Sequence, residues 1–365
     1  MRIVIVGGGI VGTALAARLG EGDDAVALCE RSSLGNETTA ASAGMFMWER
    51  PSPARFGQRL RDRAWSTYGD LLERDAISAD RLGILHVAES EGFAATLEEA
   101  AETLEEYGVD ASFVSPAELS AFGVEPDGFS GGLRTTADHA FEPTELVTAF
   151  ADRARDRGVD VRTETEVTDV VLADGAVAGV ETDDGHLEAD VVVNAAGPWA
   201  PTLNEWAGVS LPLCHTLGPM LALEGKSTAD LPFTLFESRR YVRPVGDARA
   251  YVGEFQTDYV EGQRYEPTEL RIPDDFRAAA LSIDDVVPGL VDHSVVDEWV
   301  GLRTVTPDGL PIVGETETPG FYAACGPTGL GITLAPAIAD VLAETLEGTV
   351  EPTVKSRLSP DRFSG

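Results

Sequence analysis

The first thirty residues constrain this chain more than any other stretch. Ile3-Val4-Ile5-Val6 is a β-branched run suited to a central parallel strand. Glycines then recur as Gly7-x-Gly9-x-x-Gly12 and open an alanine- and leucine-rich stretch, Thr13 to Leu19, that reads as a helix. A second apolar strand, Ala25 to Cys29, ends at Glu30. Each part has a physical job. Gly7 permits a tight turn, Gly9 lets the backbone approach a pyrophosphate, and Gly12 lets the helix pack closely on the strand. The helix N-terminus offers N–H groups and a positive dipole to phosphates. Glu30 stands where a carboxylate accepts hydrogen bonds from ribose hydroxyls, and it would repel a 2′-phosphate. The order predicts an α/β, Rossmann-like dinucleotide site and disfavours NADP.

Later segments return to that nucleotide fold. A helix is expected from about Pro143 to Arg157, ending at Gly158. Strands follow at Val159–Thr163, Val167–Leu172 and Val177–Thr182, with hairpin turns at Asp174-Gly175 and Asp184-Gly185. Asp190 to Gly197 reads as a buried strand ending in small residues. Near the C-terminus, a strand at Gly320–Ala324 leads into Cys325-Gly326-Pro327-Thr328-Gly329-Leu330-Gly331-Ile332-Thr333. A helix is expected from near Leu334 to about Glu347, with its positive end aimed at whatever the glycine segment holds. Ser32 to Gly44 is small and polar, which suits a loop laid along phosphates and a flavin face; a flexible surface loop is the competing reading.

Composition narrows the setting. There are 62 acidic residues against 27 basic ones, a formal net charge of −35, and the lysines are Lys226 and Lys355 alone. Such self-repulsion destabilises a compact state at low salt and is screened at high salt, so a halophilic source is expected. Nucleic acid and anionic membrane surfaces are poor partners for this charge. No apolar run approaches the roughly 18 residues of a membrane span. Cys29, Cys214 and Cys325 are far apart and form no metal-type pair, so no metal is expected. The start of the chain reads as a strand rather than a signal peptide, and a reduced, cytoplasmic protein is expected.

Taken in order, these segments resemble the D-amino-acid oxidase superfamily of FAD-dependent oxidoreductases. Glycine oxidase, D-amino-acid dehydrogenase and sarcosine-type members are nearest in pattern. The more specific parts are Gly301-Leu302-Arg303 with Pro307-Asp308-Gly309-Leu310-Pro311, and the order Glu142-Pro143-x-x-Leu146, Val167, Asn194-Ala195-Ala196-Gly197, Gly326 and Gly331-Ile332. The resemblance implies a Rossmann-like FAD-binding domain and a second α+β substrate domain on a largely antiparallel sheet. It implies that Gly7, Gly9, Gly12 and Glu30 hold the ADP half and that Thr39, Ser42, Ala43 and Gly44 line the pyrophosphate and flavin. Val167 would meet the adenine, and Ala196 and Gly197 would close the nucleotide site. Gly326, Gly331, Ile332 and Thr333 would hold the ribityl chain and flavin edge. Arg303 falls at a position that commonly grips a substrate carboxylate, and Tyr241 at a pocket tyrosine. A salt bridge from Arg303 to Glu298 is the competing role for that arginine.

The implied reaction is oxidation of the C–N bond of a small amino acid or N-methyl amino acid by hydride transfer to flavin N5. Oxidation of a 2-hydroxyacid and service as the FAD-carrying subunit of a larger assembly are the alternatives. Pro327 stands where the family usually has His, which leaves oxygen and a quinone or carrier both open as electron acceptor. Homo- or hetero-oligomers fit either case. The five histidines are scattered and read as structural or exposed. Cys325 reads as a small buried residue, with a covalent flavin tether as its other reading. Residues 1–82, 141–208 and 298–355 are expected to form the FAD-binding domain, 83–140 and 209–297 the substrate domain, and 356–365 a loose tail. A helix from Glu91 to Tyr107 and strands at Tyr241–Val245 and Ala250–Phe255 belong to the second domain.

Overall fold

The computed structural model describes residues 1–225, 227–228 and 231–363; Lys226 lies outside them. The β-branched runs become the middle of a six-stranded sheet. Its order is Ile312–Glu315, Phe321–Cys325, Val191–Asn194, Arg2–Val6, Ala25–Cys29, Asp160–Arg162. All neighbours are parallel except the first pair. Ile3, Ile5, Val192 and Val193 are buried, as continuous apolar strands between helical layers must be.

Helix Ile10–Leu19 packs on helices Pro143–Asp156 and Gly331–Glu347. Two of these helices begin three residues before the expected Thr13 and Leu334. The glycine segments themselves wind into the first turn, because Ile10, Val11 and Ile332 are buried and anchor it. Asp174 and Gly175 both adopt left-handed φ (53° and 81°), the geometry of a two-residue hairpin turn. The next turn uses Asp183 and Asp184, with Gly185 already in the following strand, one residue earlier than expected.

The second sheet has eight strands in the order Ser294–Val305, Cys214–Glu224, Arg249–Glu254, Arg240–Val245, Phe233–Phe236, Ile84–Ala88, Gly131–Thr135, Ala111–Val114. Only Phe233–Phe236 and Ile84–Ala88 run parallel. Helix Glu91–Glu106 covers one end through Leu97, Ala100 and Leu104. The expected boundary at 298 falls inside strand Ser294–Val305, which pairs along its length with Cys214–Glu224. Residues 298–305 therefore belong to this sheet.

The expected loose tail is also corrected. Pro352–Leu358 is a helix, and Pro360–Phe363 a 3₁₀ turn. Val354 and Leu358, four residues apart, bury one face against the core. Arg362 then forks onto Asp308 at 2.8 and 3.1 Å and donates to the Leu310 carbonyl at 2.9 Å. Residues 364 and 365 lie outside the described residues.

Helix Arg55–Glu73, which the sequence pattern did not announce, buries Arg61. Arg61 Nε donates to the Met47 carbonyl at 2.7 Å. Asp138 Oδ1 accepts the backbone N–H groups of Trp48 (2.6 Å) and Glu49 (3.1 Å), and its Oδ2 accepts the Thr135 hydroxyl. Glu49 meets His86 Nδ1 at 2.8 Å. Thr333 Oγ1 accepts Met47 N and donates to the Met45 carbonyl, both at 3.2 Å. Segment 45–49 is thus fixed by side chains from three other elements and from the loop that carries Asp138.

Burial pushes the Asp138 carboxyl up to about 6 from an ordinary 3.8. The folded chain then holds a proton that the unfolded chain has released, so this group's contribution to stability falls as pH rises from about 4 to 6 and is level above. Asn can accept the same two N–H groups and donate to Thr135. Asp138→Asn is expected to flatten the Tm–pH profile between pH 4 and 6 and to raise stability at pH 7 by up to about 3 kcal/mol. A parallel downward shift of the whole profile would contradict this.

Candidate active site

The C-terminal ends of strands Arg2–Val6, Ala25–Cys29, Val191–Asn194 and Phe321–Cys325 open on one cleft between the two large sheets. It encloses about 1800 Å³ of non-atom space, its open mouth included. Ligands of open α/β sheets bind at such carboxyl ends. Gly7 has φ 109°, and a Cβ there would lie 2.6 Å from the Ala195 carbonyl oxygen. A Cβ at Gly12 would lie 1.8 Å from the Gly7 oxygen. Neither site admits a side chain, so the turn and the helix start are held at closest approach.

Gly7, Gly9, Glu30, Thr39, Ser42, Ala43, Gly44, Val167, Ala196, Gly197, Gly331 and Ile332 line this cleft together with Tyr241 and Arg303. Gly12, Gly326 and Thr333 do not line it. Gly12 is packed on the Gly7 carbonyl. Gly326 is a left-handed turn (φ 66°) against Thr306 and Leu213. Thr333 spends its hydroxyl on segment 45–47. These three shape the walls rather than face the interior.

The small polar loop is ordered by both sheets. Thr39 Oγ1 accepts the Ile10 N–H at 3.1 Å, at the start of the first helix. Thr38 donates to the Leu302 carbonyl at 3.0 Å, and Trp299 Nε1 donates to the Ala41 carbonyl at 3.1 Å. Ser42 Oγ accepts the Gly44 N–H at 3.0 Å. The flexible-loop reading of 32–44 therefore fails. Glu30 accepts the Gly8 N–H at 2.8 Å and the Ser32 N–H at 2.9 Å, which holds its carboxylate at the glycine turn.

Arg303 lies half-buried on strand Ser294–Val305. Its guanidinium donates to the carbonyls of Leu217 (2.7 Å) and Glu254 (2.8 Å). Among the described residues it has no carboxylate partner: Glu298, its expected competitor, pairs with Arg277. Burial lowers the Arg303 pKa, and Tyr241 and Glu254 oppose that. Glycines make room for it. Gly218 faces Gly301 across the strands, and a Cβ at Gly218 would lie 2.8 Å from Arg303 Nη2.

Tyr241 is buried, stacks on Phe233 (centroids 5.1 Å, 24°), and among the described residues its hydroxyl meets only the Met220 sulfur, at 3.5 Å. Burial raises its pKa. Cys325 also lines the cleft, and burial pushes its thiol up to about 12, which makes a poor nucleophile for a tether. His86 and His215 are held by Glu49 and by the Pro198 carbonyl, and no histidine lines the cleft among the described residues.

Sequence reasoning missed several lining residues. Met45, Met47, Phe233 and Phe255 form an apolar wall beside Tyr241, and Trp199 and Trp206 also line the cleft. Gly218 carried a signal, an isolated glycine within an apolar strand. The methionines carried none beyond their position after Gly44.

The arrangement fits FAD. A glycine turn free of Cβ atoms, an acid at its edge, and the start of helix Gly331–Glu347 all face one space larger than a small ligand fills. Known proteins agree. A glycine oxidase of Pseudomonas putida is 28% identical over 92% of both chains. A D-amino acid dehydrogenase of Methylobacterium nodulans is 27% identical, also over 92% of both. The L-proline dehydrogenase of P. horikoshii superposes with a TM-score of 0.89 at 22% identity, covering 100% of this chain and 97% of its own. The sequence profile of the FAD dependent oxidoreductase family matches residues 2–345, and the chain belongs to that family.

Proposed function

We propose that this FAD-dependent oxidoreductase oxidises the C–N bond of a small amino acid or N-methyl amino acid, of D-amino acid, glycine or sarcosine type, to an imine that hydrolyses in water. The observation that carries this reading is Arg303, a half-buried guanidinium in the cleft held by carbonyls and, among the described residues, lacking a carboxylate partner. A fork of this kind takes a substrate carboxylate in two parallel hydrogen bonds. Bound FAD supplies the acceptor for the departing hydride. Gly7, Gly9 and Glu30 would hold its ADP half, Thr39, Ser42, Ala43 and Gly44 its pyrophosphate, and Gly331 and Ile332 its far end.

Arg303 orients the α-carbon, which converts a bimolecular encounter into a positioned one. The wall of Met45, Met47, Phe233 and Phe255 excludes water from the reacting carbon. Tyr241 presents a hydroxyl whose partner among the described residues is the Met220 sulfur, a weak acceptor, and it would bond the bound carboxylate. The amine proton goes to solvent water. Residues 1–82, 141–208 and 306–363 carry the cofactor in this reading, and 83–140 with 209–305 cover the substrate.

Anaerobic titration of the yellow protein with D-amino acids, glycine, sarcosine, proline and 2-hydroxyacids tests it. Bleaching of the flavin by an amino acid is expected, and bleaching by 2-hydroxyacids alone would overturn the C–N reading. Arg303→Ala is expected to lower kcat/KM about 100-fold, near 3 kcal/mol. Tyr241→Phe should cost about 3- to 10-fold, one hydrogen bond. Equal activity in both variants would remove the carboxylate anchor. Readmitting air to bleached protein reads whether oxygen serves as acceptor.

The 62 acids against 27 bases support a halophilic, cytoplasmic setting for this chemistry. Tm is expected to rise steadily between about 0.1 and 2 M KCl as the Debye length falls from about 10 to 3 Å or less. A Tm that is flat or falling over that range would contradict it.

A further inference from the structure

Apart from Met1, the chain has three methionines, Met45, Met47 and Met220, and the fold brings all three into one packed group with Phe233 and Tyr241. Methionine fills irregular gaps in any core, yet the other hydrophobic clusters of this chain contain none among the described residues. Phe255 packs on the same group, and its ring centre lies 5.4 Å from the Arg303 guanidinium carbon. Met45, Met47, Phe233, Tyr241 and Phe255 all line the cleft, as Arg303 does.

Local structure explains how two of the methionines come to face it. Successive residues of an extended chain leave opposite sides. Phe46 and Trp48 turn into the nucleotide-fold core and meet Trp65 at ring centroids of 5.0 and 6.0 Å. Met45 and Met47 take the other side. The side chains that hold this segment act on its backbone: Thr333 on the Met45 carbonyl and the Met47 N–H, Arg61 on the Met47 carbonyl. The two thioether side chains are left to the cleft. Unbranched, polarisable side chains on a fixed backbone make a surface that reshapes around different apolar groups.

Charge in this part of the cleft is single. Of the charged residues that line it, Glu30, Arg31, Glu37 and Glu166 gather at the glycine turn. Arg31 pairs with Glu37 at 2.8 Å, and the Glu30 carbonyl accepts the Thr165 N–H at 2.9 Å, which sets Glu166 beside it. Among the described residues, Arg303 is the only charge that the second sheet lends to the lining. With Arg303 engaged by one carboxylate, a charged substituent against the methionines would leave water without a partner, which is costly. An apolar substituent gains affinity there with each methylene buried.

We propose that Met45 and Met47, with Phe255, form a side-chain subsite for uncharged apolar groups of more than one shape. The preferred substrate is then an amine with one carboxylate and an apolar substituent, rather than glycine or a dicarboxylic amino acid. The proposal rests on the C–N oxidation reading for its chemistry, but its binding test requires no oxidation.

Calorimetric titration of the holoprotein with acetate, propionate, butyrate and pentanoate reads the subsite, because none of them has an amine to oxidise. Affinity is expected to rise about three- to fourfold with each added methylene. 3-Methylbutanoate and benzoate should each bind about fivefold or more tighter than acetate. Succinate, which carries a charge where butyrate ends in a methyl group, should bind about tenfold or more weaker than butyrate. Met45→Ser and Met47→Ser should each cut the rise to below about twofold per methylene, and Met47→Leu, of similar volume, should keep it. Affinity that is flat from acetate to pentanoate, succinate as tight as butyrate, or a full rise retained in both serine variants would overturn the subsite. The wild-type series needs no variant, so a serine variant that fails to fold leaves the test intact. In turnover, kcat/KM for the better enantiomer of norvaline is expected to exceed that for glycine about tenfold or more, and a preference for glycine would overturn the substrate assignment. A holoprotein that binds the series in this order yet oxidises no amine sinks the C–N reading and leaves the subsite standing. One that oxidises amines but shows a flat series does the reverse.

Discussion

The distance between the Gly7 carbonyl and the Cα of Gly12 sets the rest of the molecule. A single Cβ at Gly12 would lie 1.8 Å from that oxygen, so the first helix can approach the first strand only because none is there. That approach fixes where Ile10 begins the helix. Thr39 then takes the Ile10 N–H, which fixes the small polar loop, and Thr38 and Trp299 tie the loop to the second sheet. The cleft between nucleotide fold and substrate sheet is therefore a consequence of one backbone contact, propagated through three hydrogen-bonded side chains.

Much of this was legible in the sequence because the features involved are local. Alternation and β-branching located the strands at Arg2–Val6, Ala25–Cys29, Arg240–Val245 and Arg249–Glu254 to within a residue. Glycines marked positions where backbone meets backbone. Helix Arg55–Glu73 escaped because Gln58 and Arg61 occupy its buried face and break the apolar period. Arg61's partner, the Met47 carbonyl, lies outside the helix, and the partners of Glu49 and Arg362 are distant in sequence. Polar burial of this kind is decided by tertiary neighbours and leaves no periodic trace. The C-terminal segment was misjudged for the same reason, since Arg362 finds Asp308 only in the folded chain.

Charge is distributed in two ways across the molecule. The surface carries most of a large acidic excess, and its exposed ion pairs contribute little individually. The interior of the cleft is different. Arg303, which lines it, is held by the Leu217 and Glu254 carbonyls and, among the described residues, pairs with no carboxylate. In the proposed reading, an anionic substrate is drawn to Arg303 against the overall field of the chain.

The central claim, that the glycine turn builds a flavin site, is tested most directly by the flavin content of folded protein purified in high salt. The account predicts one FAD per chain, released intact on denaturation because Cys325 is too buried and too weakly acidic to form a tether, and strongly reduced in Gly12→Val. Folded wild-type protein that carries no flavin and takes up none on incubation with FAD would contradict it.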